Sequence, residues 1–90
     1  MHRILSIDYG SKRIGLALSD LMQIIAKPFK TIQNKNNAQI LDEINEIIID
    51  KKVNKIIVGL PLNLKGEFSE QTNLTMNFVD YLKENIEIDV

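Results

Sequence analysis

Cysteine is absent from the 90 residues, and histidine occurs once, at position 2. The first absence removes disulfides, thiolate metal sites and thiol nucleophiles together. The second leaves only His2, beside a terminus of the kind that frays, so histidine-based catalysis is not expected. No apolar run approaches the length of a membrane-spanning helix, and the N-terminus lacks the apolar stretch of a signal peptide. A cytoplasmic protein without membrane contact is the expectation. A strong excess of basic charge is missing too: the net charge is −1, which does not advertise a nucleic-acid binder.

What is present is a globular composition, with 44% apolar and 26% charged residues. Ninety residues make one domain or part of one. The charge is unevenly spread. Residues 1–31 carry five cations against two carboxylates, a local charge of +3, whereas residues 32–90 carry six lysines against ten carboxylates, or −4. The basic excess surrounds the segment with the most distinctive motif, which fits a polyanionic partner as well as an ordinary solvated surface.

Hydrophobic patterning gives an element order of strand, strand, strand, helix, strand, helix, strand. Ile4 to Asp8 is a short apolar run ending in an acid and reads as a buried central strand. Ile14 to Ser19 alternates with period two, placing Ile14, Leu16 and Leu18 on one face and Gly15, Ala17 and Ser19 on the other. That small-residue face invites close approach by a helix or a ligand. Ile24 to Ile32 makes a third strand in which Pro28 removes a ladder donor, placing it at a sheet edge or a bulge. Asn34 to Asn37 offers cap residues for a helix over 38–52, whose apolar positions are Ile40, Leu41, Ile44, Ile47 and Ile48, with Lys51 and Lys52 in its last turn. Lys55 to Gly59 is a further buried strand, and Asn63 to Gly66 a turn. A second helix is expected over 69–84 with Leu74, Phe78, Tyr81 and Leu82 buried. The alternation of Ile86, Ile88 and Val90 begins a fifth strand.

Three strands on short connections form an antiparallel meander. A crossover helix then lays the fourth strand parallel to the first. The predicted fold is α/β, with a mixed sheet of order 3-2-1-4-5, helices on its faces, and an incomplete last strand and helix. The carboxyl ends of the first and fourth strands then form a crevice holding Asp8 and the loop from Gly59 to Asn63.

Asp8 is the residue that carries chemistry. It ends a rigid strand, and Gly10 lets the backbone turn immediately after it, which suits a hard-cation ligand. An isolated Asp-Tyr-Gly is more often a simple turn cap. The longer string Ile7-Asp8-Tyr9-Gly10-Ser11-Lys12-Arg13-Ile14-Gly15-Leu16-Ala17-Leu18-Ser19-Asp20 resembles the opening of the YqgF family, RuvX-like proteins described as pre-16S rRNA nucleases or Holliday-junction resolvases. Ile57-Val58-Gly59-Leu60-Pro61-Leu62-Asn63-Leu64-Lys65-Gly66 resembles that family's second recurrent block. The resemblance extends over essentially the whole chain, as one RNase H-like domain over 1–90. It implies metal-dependent cleavage of phosphodiesters in structured nucleic acid, with precursor 16S rRNA as the first choice of substrate and branched DNA as the alternative. Asp8 would be the catalytic acid and a ligand of Mg²⁺ or Mn²⁺. Arg13, Lys12 and Asn63 would contact substrate, though Arg13 and Lys12 also read as a solvated hairpin tip, Lys12 more so, and Asn63 as a turn former. Gly10, Gly15 and Gly59 read as backbone-clearance residues, and Asp20 as shaping the loop after the second strand.

The resemblance also implies a departure. The family's remaining acids follow the fifth strand, in an Asp-Glu-Arg segment and in a last helix. Asp89 comes too early in its strand to be one of them. The expectation is therefore that these residues are the N-terminal portion of a longer domain and are inactive alone, since one carboxylate does not fix two divalent ions. Two other readings stay open: a nucleotide-binding domain of the actin type, whose Asp-x-Gly turn meets phosphates, and a non-catalytic domain that binds RNA or protein. Oligomeric state is not readable.

Overall fold

Alternation along the strands decides which way this chain folds. The computed structural model describes residues 2–23, 25–61, 65–67 and 69–90. Its elements are β1 (Arg3–Tyr9), β2 (Arg13–Ser19), β3 (Ala26–Gln33), α1 (Asn37–Lys51), β4 (Val53–Val58) and α2 (Glu70–Asn85). Leu5 and Ile7 of β1, Ile14 and Leu16 of β2, and Ile56 of β4 are each 3% exposed or less. They form one continuous core with Ile40, Ile44 and Ile47 of α1 and Phe78 and Leu82 of α2. Both helices therefore cover the same face of the sheet, because the large side chains of all the inner strands point there.

The described strands form one four-stranded sheet of order β3-β2-β1-β4. β1 pairs antiparallel with β2, and β2 with β3, whereas β4 lies parallel to β1 across the α1 crossover. Pro28 lies on the edge strand and also next to an irregularity: Leu16 pairs with Lys30 but Ala17 with Pro28, leaving Phe29 unpaired between them. A residue without an N–H fits both circumstances.

The expected order 3-2-1-4-5 needs correction at its last position. After the Ile86 cap of α2, the fifth strand is reduced to one parallel bridge between Lys55 and Asp89, held by the Ile56 N–H donating to the Asp89 carbonyl at 2.8 Å.

Local chemistry sets the helix ends. The Asn36 side chain caps α1 by accepting from the Gln39 N–H at 2.9 Å, an interaction worth about 1 kcal/mol. Lys51 occupies the last turn, but Lys52 lies beyond it as a left-handed cap at φ 56°. At α2 the Ser69 side chain accepts from the Thr72 N–H while Thr72 Oγ1 accepts from the Ser69 N–H, a reciprocal capping box. The buried stripe of α2 is also shifted from the expected one. Thr72, Thr75, Phe78 and Leu82 are buried, whereas Leu74 is 45% exposed and Tyr81 is partly exposed. Among the described residues no helix is long and apolar enough to cross a membrane.

Candidate active site

Asp8 alternates with Ile7, so its side chain leaves the sheet on the face that neither helix covers. It is exposed, next to last in β1, and opposite Gly15 of β2. A methyl group at Gly15 would sit 3.7 Å from Asp8 Cβ, an ordinary contact, so glycine keeps the flank of the carboxylate clear. On the other flank β4 ends, and the Gly59 N–H donates to the Ile7 carbonyl at 3.1 Å. Among the described residues nothing lies within 4 Å of a Cβ built at Gly59. Asp8 thus stands between two glycine positions, over a shallow groove of about 500 Å³ lined also by Ser6, Ala17 and Ile57. Among the described residues no hydrogen bond or ion pair engages its carboxylate.

The turn that follows is tightly determined. The Gly10 N–H donates to the Arg13 carbonyl at 3.0 Å, and a Cβ at Gly10 would fall 2.5 Å from that same oxygen. Only glycine fits without moving the backbone. Two side-chain amides from distant elements hold the turn's outward carbonyls. Asn34 Nδ2 donates to the Gly10 carbonyl at 2.7 Å, and Gln71 Nε2 donates to the Tyr9 carbonyl at 3.0 Å. The Tyr9 ring points to the helix face and stacks on Phe78 with centroids 4.3 Å apart. Thr72, fully buried, donates to the Pro61 carbonyl and ties the loop after β4 to the same end of α2.

Arg13 opens β2 and is exposed. It stands two residues before Gly15 and so on the same face as Asp8, about 7 Å along the strand. Lys12 is exposed at the turn, where its carbonyl accepts from the Asn34 N–H. The ion pairs found among the described residues, Lys35 with Glu43 and Lys51 with Asp50, involve neither Lys12 nor Arg13. Asn63, the remaining expected substrate contact, lies outside the described residues. Asp20 accepts at Oδ1 from the Ile25 N–H at 3.5 Å and shapes the loop after β2. Sequence reasoning missed Asn34 and Gln71, because each reaches a backbone carbonyl far away in sequence and carries no side-chain motif.

The donor chemistry suits one hard cation at Asp8. An exposed carboxylate on a rigid strand, with room on both sides, offers the oxygen that Mg²⁺ or Mn²⁺ takes while keeping waters and phosphate oxygens as its other ligands. Among the described residues there is no group of three or more His, Cys, Asp or Glu placed to hold a metal. Asp8 alone would offer a single ligand, and a pair of ions would need further acidic groups.

The chain has relatives among known proteins. The family model described as "RuvX: Holliday junction resolvase" matches residues 2–90. A protein of Sulfurihydrogenibium sp. named "Putative pre-16S rRNA nuclease" is 44% identical over 90 residues, covering 100% of this chain and 61% of the relative. A relative of the same name from Rickettsia typhi is 40% identical over 87 residues, covering 97% of this chain and 56% of its own length. The chain thus spans about three-fifths of the length of these curated relatives. Among solved structures, T. thermophilus RuvC in complex with a Holliday junction substrate aligns at a TM-score of 0.56 with 14% identity, over 93% of this chain and 59% of that one. This likeness shows the fold, which is RNase H-like. With a family model matched along nearly its whole length, the chain belongs to the RuvX family.

Proposed function

We propose that this chain is the N-terminal portion of a single RNase H-like domain, and that the whole protein is a cytoplasmic, metal-dependent endonuclease. Its substrate is structured nucleic acid, in the first instance the 5′ end of precursor 16S rRNA. The observation that carries the reading is Asp8: a carboxylate with no partner among the described residues, at the end of a central strand, flanked by Gly15 and Gly59 on the open face. The names of the relatives support RNA processing. The family description and the RuvC likeness give branched DNA as the second reading.

In this reading Asp8 is the catalytic carboxylate and supplies an oxygen to Mg²⁺ or Mn²⁺. Bound there, the metal would polarise a phosphodiester and lower the pKa of an attacking water. Glycine at positions 15 and 59 leaves room for a phosphate on either side of the carboxylate among the described residues. Arg13, on the same face, offers a forked guanidinium to an adjacent phosphate, and Lys12 a point charge at the turn. Asn63, in the family's second block, is the further substrate contact.

The test is to incubate the protein, at the length of its relatives, with precursor 16S rRNA and with a four-way DNA junction. Faster Mg²⁺-dependent cleavage of the RNA near its mature 5′ end, abolished by EDTA, is the expected result. Preference for the junction would transfer the substrate to branched DNA. Binding of ATP without cleavage of either nucleic acid would overturn the nuclease reading.

A further inference from the structure

The turn after Asp8 is held by groups that the nuclease reading does not use. The Ile7 carbonyl, on the N-terminal side of Asp8, accepts from the Gly59 N–H at 3.1 Å. On the C-terminal side, Tyr9 and Gly10 accept from Gln71 Nε2 at 3.0 Å and from Asn34 Nδ2 at 2.7 Å. Gln71 lies 62 residues from Tyr9, in the first turn of α2, and Asn34 lies 24 residues from Gly10, just past β3. Both contacts are partly buried. Asp8 itself is exposed, and among the described residues no hydrogen bond or ion pair fixes its carboxylate. Its direction is thus set by the backbone on either side, and beyond Tyr9 that backbone leaves the β1 ladder.

We infer that Gln71 and Asn34 are positioning residues for Asp8, clamping the Tyr9 and Gly10 carbonyls so that the carboxylate is presented to its cation in one geometry. The pair ties the site to two elements at once: the end of the edge strand through Asn34 and the start of α2 through Gln71. A carboxylate on an unclamped turn would sample orientations, and metal affinity depends on groups that orient the ligand. The inference rests on the nuclease reading for its purpose, but the clamp itself is open to measurement without it.

The variants are Gln71→Glu and Asn34→Asp, which keep shape but replace an amide donor with an acceptor that a carbonyl repels. Both are mild toward the helices. A glutamate in the first turn of α2 favours its dipole, and an aspartate ahead of α1 is well placed for the same reason. Backbone ¹⁵N order parameters of Asp8, Tyr9 and Gly10 are expected to fall from about 0.85 toward 0.6, with those of Leu5 and Ile56 unchanged. Gln71→Lys, which keeps a donor, should retain the wild-type values. Mn²⁺ affinity, read from paramagnetic broadening at Asp8, should weaken by about 10-fold or more. Added negative charge alone would tighten it, so the direction separates positioning from electrostatics. Unchanged order at Asp8 to Gly10 in both variants overturns the clamp. Loss of order at Leu5 and Ile56 as well overturns it as a local device. Absence of Asp8-centred broadening in the wild-type protein overturns the metal reading instead, while the order parameters still decide the clamp.

Discussion

The two faces of this sheet are made by alternate residues of the same strands, yet they have opposite character. On the helix face Leu5, Ile7, Ile14, Leu16 and Ile56 are closed off from water. On the other face their neighbours Ser6, Asp8, Gly15 and Ala17 are small or polar, and Ile57 is 47% exposed. A shift of one residue would exchange the two sets, so the buried pattern that fixes the register also fixes where Asp8 points. Stability and the proposed chemistry are thereby assigned to different side chains of one ladder.

The helix face should show the largest effect on folding. Leu5→Ala is expected to lower unfolding free energy by about 2–5 kcal/mol, a large share of what a domain of this size has. Urea denaturation measures it, and a loss below about 1 kcal/mol would break the contrast between the faces. Gly10→Ala comes next, because its methyl meets the Arg13 carbonyl and the turn must shift. A cost of about 1–3 kcal/mol is expected, together with weaker Mn²⁺ binding at Asp8. On the open face, Ile57→Ser should cost only about 0.5 kcal/mol. A loss as large as that of Leu5→Ala would mean that this face is covered in solution. Arg13→Ala should leave the melting temperature unchanged and reduce the salt dependence of nucleic-acid binding by about one phosphate. An unchanged slope would remove Arg13 from the substrate surface.

The contrast also accounts for what was legible in the sequence. The period-two runs around Leu5, Leu16 and Ile56 are strong signals, and with the α1 spacing they suffice for the order β3-β2-β1-β4. The buried stripe of α2 was misread because Leu74 and Thr75 both lie one turn from Phe78, and hydrophobicity favours the leucine. Thr75 is buried instead, its hydroxyl satisfied by the Gln71 carbonyl at 2.9 Å, so its polarity costs little. At the site, Asp8 and Gly10 are readable because a strand-ending acid and a glycine turn are local features. The contacts of Gln71 and Asn34 are not, since a side-chain amide can meet any carbonyl and only the folded chain brings these together.

Asp8→Asn tests the separation of the faces most directly. It keeps the shape and removes one negative charge from the open face. With the protein at the length of its relatives, cleavage at saturating Mg²⁺ and thermal melting are measured on the same preparation. Cleavage is expected to fall by orders of magnitude, with stability changed by no more than about 0.5 kcal/mol. Cleavage at the wild-type rate by the asparagine variant would show that the open face does not carry its chemistry on Asp8.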